Sequence, residues 1–179
     1  MKKIIVLISG KLKYLSDQNF YRIKKNFKNY DVDFFLTPWE GENIDLINTF
    51  TQIYKPIAIK KISQSNFKYK IQSIKYPDNA ASLEGFFYNW EGVCKGLNEI
   101  ELYFSKKSSS PDFILRYRSD ILPKKKSFFD IKNINANKRI IIPDRYHWNG
   151  TNDQIFLFKF ISIKTFKKFS KFKDSHIKD

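Results

Sequence analysis

Pro111-Asp112-Phe113-Ile114-Leu115-Arg116-Tyr117-Arg118-Ser119-Asp120, continued by Ile121-Leu122-Pro123, starts as an apolar run of β type and turns polar after Leu115. A strand buried on both faces reads as a continuous hydrophobic segment. Open α/β sheets bind ligands just outside the carboxyl ends of such strands. Alternation sets Arg116, Arg118 and Asp120 on one side and Phe113, Leu115 and Tyr117 on the other. A carboxylate beside two guanidinium groups can hold a divalent cation while the arginines take phosphate oxygens. The same residues also fit a plain ion pair between Arg118 and Asp120 at a strand exit. Either way, the stretch predicts a strand near the centre of an α/β sheet.

Upstream, Ile4-Ile5-Val6-Leu7-Ile8-Ser9 reads as a first buried strand. Gly10 follows it, and a glycine there lets the backbone turn sharply or approach a ligand. Ser16 suits a helix N-cap, and Phe20, Ile23 and Phe27 recur at helical spacing. Val32 to Leu36 form a second strand, closed by Thr37-Pro38-Trp39. Ile44, Ile47, Phe50 and Tyr54 predict a helix stopped before Pro56, and Ile57-Ala58-Ile59 a short third strand. This alternation is the signature of a mainly parallel sheet flanked by helices, with right-handed crossovers. Residues 63–78 read as a long polar loop, and such loops are often functional.

The clearest helix follows, with Leu83, Phe86, Trp90, Val93, Leu97, Ile100 and Phe104 stepping by threes and fours. A stripe of that kind is core, Trp90 included. Beyond the arginine-bearing strand, Arg139-Ile140-Ile141-Ile142-Pro143 reads as another strand. A polar run from Asp144 to Gln154 separates it from Ile155-Phe156-Leu157-Phe158. Hydrogen-bonding side chains between two core strands make a site candidate, although turn formers in a surface loop look the same. Residues 160–179 interleave Phe166, Phe169 and Phe172 with lysines, a basic amphipathic tail that suits an anionic membrane face or an ordinary solvated helix.

Composition narrows the function classes. The chain has 179 residues, 42% apolar and 17% aromatic, enough for one domain with a real core. Its 33 basic and 18 acidic residues give a formal charge of +15, which favours an anionic partner. One cysteine, Cys94, excludes an intrachain disulfide, and cytoplasm is the default compartment. The apolar start after Lys2-Lys3 is too short for a signal peptide, and no stretch approaches the ~20 apolar residues of a membrane span. GxGxxG, Walker A and HExxH motifs are absent, as are zinc-finger and RNP signatures, so no nucleic acid is expected.

The order of a strand ending Ser9-Gly10, a strand ending Arg116-Tyr117-Arg118-Ser119-Asp120, then Ile142-Pro143 and Asn152-Asp153-Gln154 before a strand resembles bacterial surface-polysaccharide glycosyltransferases of the GT-A type. The resemblance implies a Rossmann-like single domain that moves a sugar from a nucleotide-sugar donor to a carbohydrate or lipid-linked acceptor. Members continue further past the Asn-Asp-Gln segment, so the resemblance leaves three expectations open: a chain lacking a C-terminal part, a minimal enzyme or an inactive remnant. Many members hold a divalent cation, Mn or Mg, through an Asp-x-Asp motif against the donor diphosphate. Asp120 matches the final aspartate of that motif, and Arg118 stands where the first would be. Asp153 would be the base that deprotonates the acceptor. Ser9, Gly10, Thr37, Trp39, Arg116, Arg118, Asn152 and Gln154 would bind the donor. The implied setting is cytoplasmic, peripheral at the inner membrane face. Two alternatives remain: a domain that binds a nucleotide sugar without turnover, and a basic nucleic-acid-binding module.

Overall fold

A computed structural model describes residues 1–13, 17–64, 83–119, 140–141 and 155–165. The elements, in chain order, are β1 (Lys3–Gly10), α1 (Asp17–Asn26), β2 (Asp31–Pro38), α2 (Ile44–Tyr54), β3 (Ala58–Ile59), α3 (Leu83–Ser105), β4 (Phe113–Tyr117), β5 (Ile140–Ile141) and β6 (Ile155–Lys159). One sheet carries all six strands in the order β3-β2-β1-β4-β6-β5. β1 pairs in parallel with both β2 and β4, and β3 extends β2 in parallel. β6 runs antiparallel to β4 and to β5, so the sheet is mixed but mostly parallel.

Helix placement follows from that order. β2 and β3 are added on one side of β1, and β4 on the other. Right-handed crossovers then put α1 and α2 on one face and α3 on the opposite face. Two apolar clusters show this arrangement. Ile4, Val6, Ile8, Phe34, Leu36, Leu115 and Tyr117 meet Ile23 of α1, Phe27 just past its end, and Ile47, Phe50 and Tyr54 of α2. Ile5, Leu7, Phe35, Ile114, Phe156 and Phe158 meet Val93, Leu97, Ile100 and Phe104 of α3. The alternation expected for Phe113, Leu115 and Tyr117 therefore holds, and all five residues of β4 are buried between the two helical layers.

The expected helices keep their bounds closely, because chain chemistry sets them. Asn43 caps α2 by accepting the Asp45 N–H at 2.7 Å, and Lys55 ends it in the left-handed region at φ 44°. Trp90 packs half-buried against the core on the stripe its spacing implies, stacked on Phe156 with ring centroids 6.1 Å apart. The third strand is shorter than Ile57–Ile59, with only Ala58 and Ile59 paired. The expected tail begins as a 3₁₀ turn, Phe160–Ser162, and its residues beyond 165 lie outside the described residues, as does Ser16. No helix among the described residues is long and apolar enough to cross a membrane.

Candidate functional site

In this order the chain leaves β1 toward β2 and later returns to the other side of β1 as β4, so the winding reverses between β1 and β4. Open α/β sheets bind ligands in the crevice that such a reversal leaves at the carboxyl ends of the strands. Ser9 and Gly10 end β1 there, Thr37 and Pro38 end β2 beside them in register, and Arg118 and Ser119 follow β4. Gly10 sits at φ +85°, where any Cβ would be strained, so glycine is what lets β1 turn at this point.

α3 roofs the same edge at unusually short range. A Cβ on Gly96 would lie 2.7 Å from Thr37 Oγ1 and 2.9 Å from Leu7 Cδ1. A Cβ on Gly92 would lie 3.2 Å from the Trp39 ring and 3.5 Å from Gly10 Cα. Trp39 is thus wedged between the end of β1 and the helix, half-buried.

Arg116 pairs with Leu7 and so points under α3, and none of its surface is exposed. An arginine is ionised in every protein environment, and a buried charge persists only where hydrogen bonds replace water. Its guanidinium donates to Tyr117 O at 2.9 Å, to Asn89 Oδ1 of α3 at 3.1 Å and, at a longer 3.5 Å, to Ser9 O. One side chain thus ties β4, β1 and α3 together beneath the crevice. Arg118, two residues on, is half-buried at the rim.

The loop after β1 is held from two directions. Ser119 Oγ accepts the Lys13 N–H at 3.0 Å and faces Lys11 O at 3.5 Å. Glu42, in the loop after β2, accepts the Leu12 N–H at 2.7 Å and the Asn43 N–H at 3.1 Å. Pinned this way, the loop carries the exposed Lys11 and Lys13 on the Arg118 side of the crevice. Deeper in, Ser9 and Thr37 are neighbours in register, 5% and 0% exposed. Neither hydroxyl has a hydrogen-bond partner among the described residues, a state that ordinarily costs about 1–3 kcal/mol per group. Glu91 is buried but engaged, its Oε1 2.9 Å from Lys95 Nζ, which also donates to Ser63 O at 2.6 Å.

Six of the expected site residues therefore share one edge: Ser9, Gly10, Thr37, Trp39, Arg116 and Arg118. Arg116 differs from the expectation in orientation, since its guanidinium is spent on protein oxygens rather than offered at the surface. Asp120, Asn152, Asp153 and Gln154 lie outside the described residues, while Ile155, where β6 begins, pairs with Tyr117 at the same edge. Among the described residues no group of three or more His, Cys, Asp or Glu could hold a metal ion. Asn89, Ser119, Glu42 and the two α3 glycines were not singled out by sequence. The four-residue spacing of Gly92 and Gly96 was the available signal, because glycines inside a strong helix often mark close packing. No protein-family model matches the chain, and no curated protein matches it.

Proposed function

We propose that the chain is a glycosyltransferase that binds a nucleotide-sugar donor at the carboxyl edge of β1, β2 and β4. The observation that carries this reading is the gathering of Ser9, Gly10, Trp39 and Arg118 at the reversal between β1 and β4, above a buried Arg116 that fixes the edge. The nucleoside lies against the half-buried Trp39 at the end of β2, above the buried Ser9 and Thr37. Arg118, with Lys11 and Lys13, takes the diphosphate and stabilises the negative charge that grows on it as the sugar leaves. Arg116 positions this machinery without touching the donor. Asp120, next in sequence after Ser119, would hold a divalent cation, which would add to the same charge stabilisation. Asp153, two residues before β6, takes the proton of the acceptor hydroxyl. The acceptor is a carbohydrate of a surface polysaccharide, free or lipid-linked, and the reaction runs on the cytoplasmic side.

A second reading, binding without turnover, draws support from the described carboxylates. Glu42 and Glu91 are both committed to internal partners, so neither is at hand as a base. Asp153→Asn separates the two readings. On the transferase reading it leaves donor affinity unchanged and removes sugar transfer, since a general base acts only in the chemical step. The first experiment is a thermal-shift screen of nucleotide sugars with and without Mn²⁺. A donor at ~100 times its dissociation constant stabilises the fold by about 2.7 kcal/mol. Asp120→Asn should remove the Mn²⁺-dependent part of that gain, and Arg118→Gln the part seen without metal. A screen in which no nucleotide sugar raises the unfolding temperature rejects both readings.

A further inference from the structure

The opposite end of the sheet has a different character. β1, β2 and β4 start at this amino edge, and β6 and α3 finish there, since β6 pairs Lys159 with Phe113 and Phe104 of α3 meets Phe160 with centroids 6.0 Å apart. Phe160 also donates its N–H to Asp112 O at 3.0 Å, so the turn after β6 is fastened to the start of β4. That turn holds Ile161 out with 80% of its surface exposed, between Lys159 and the exposed Lys164. Lys2, Lys106 and Lys107 end or begin the adjoining elements and are exposed.

Acidic groups at this edge are largely consumed internally. Lys3 Nζ engages Asp33 at 2.7 Å and Asp31 at 3.5 Å, and Asp112 accepts the Lys3 N–H at 2.7 Å. Lys2, Lys106, Lys107, Lys159 and Lys164 carry no ion pair among the described residues. An exposed isoleucine beside lysines without ion pairs, of which Lys2 and Lys107 lie over the Phe113 and Tyr103 rings, is the composition of a surface that enters the headgroup region: the apolar tip buries while the ammonium groups meet lipid phosphates.

We propose that this amino edge, centred on Ile161 with Lys159 and Lys164, docks on an anionic lipid bilayer. Lipid is favoured over a nucleic acid because Lys159 and Lys164 flank an exposed aliphatic side chain, whereas single-stranded nucleic acid needs exposed aromatic rings to stack its bases. The inference does not depend on the transferase reading. Where both hold, the candidate site faces away from the lipid, roughly 25 Å off by the ~3.3 Å rise of each residue of β1. That distance suits an acceptor glycan extending from its anchor rather than the anchor itself.

Flotation of the full chain with phosphatidylcholine vesicles, with and without 30 mol % phosphatidylglycerol, tests the proposal. Binding is expected only to the anionic vesicles. Lys159→Gln with Lys164→Gln should lower the partition coefficient about thirtyfold, about fivefold per lysine, and Ile161→Asp should lower it at least tenfold. The control, Lys60→Gln with Lys61→Gln, removes the same charge from exposed positions past the carboxyl end of β3 and should leave binding within twofold. All of these side chains are solvent-accessible, so folding should be retained, and circular dichroism checks it. No binding to anionic vesicles overturns the proposal. So does equal loss in the control, binding by the amino-edge variants equal to the parent's, or tighter binding to an RNA oligomer than to vesicles.

Discussion

At the scale of single residues, Arg116 shows what sequence position conveys and what it omits. Alternation correctly set it on the side opposite Leu115, and the polar break after Leu115 marked the end of a core strand. Its complete burial was not legible, because burial depends on how closely a helix distant in sequence covers that strand end. The guanidinium fork reaches acceptors on α3 and β4 at close range, and lysine has no planar fork with which to do so. Arg116→Lys should therefore lower the unfolding free energy by about 3 kcal/mol, on the order of one to two hydrogen bonds from a charged group. Urea denaturation measures it. A loss within about 0.5 kcal/mol, ordinary for a surface change, would mean that Arg116 does not tie the crevice together.

At the scale of elements, the helices were legible because their apolar spacing and their breakers agree with one another. The antiparallel course of β6 was not. Ile155-Phe156-Leu157-Phe158 announces burial, but an apolar run carries no direction. The approach of α3 was legible only as two glycines four residues apart, and their effect depends on what lies opposite. Gly96 faces Thr37 and Leu7 at distances no Cβ tolerates, whereas a Cβ on Gly41 would meet nothing within 4 Å. Gly96→Ala should push α3 off the carboxyl edge and destabilise by about 1–3 kcal/mol, as overpacking does. Gly41→Ala should be neutral or stabilise by up to about 1 kcal/mol through the unfolded chain. Paired denaturant titrations decide this, and equal effects would contradict the close-packed roof.

For the molecule as a whole, the charge of +15 was plain in the sequence, but which edge of the sheet each lysine occupies was not. Lys3 and Tyr54 couple the fold to alkaline pH. The hydrogen bond to Asp33 chiefly raises the Lys3 pKa above its ordinary 10.5, against an opposing desolvation. Burial, then the charge of Asp17, raises Tyr54 well above its ordinary 10.0. Both folded-state values exceed the unfolded ones, so the folded chain holds more protons, and stability is intact below about pH 10 and declines as pH rises beyond it. Melting temperatures from pH 8 to 11 should be flat and then fall, and Tyr54→Phe should make the fall shallower. The candidate site itself was half visible, since its strand-end residues could be read from position while Asn89, Ser119 and Glu42 come from elements that only folding brings together. That convergence is best tested by recording backbone amide and indole resonances while a stabilising nucleotide sugar is titrated in. Shifts are expected at Ser9, Gly10, Lys11, Arg118, Ser119 and the Trp39 indole, with Lys3, Asp112 and Phe160 unmoved. Shifts confined to the amino edge, or none at saturation, would contradict a donor site at the carboxyl ends of β1 and β4.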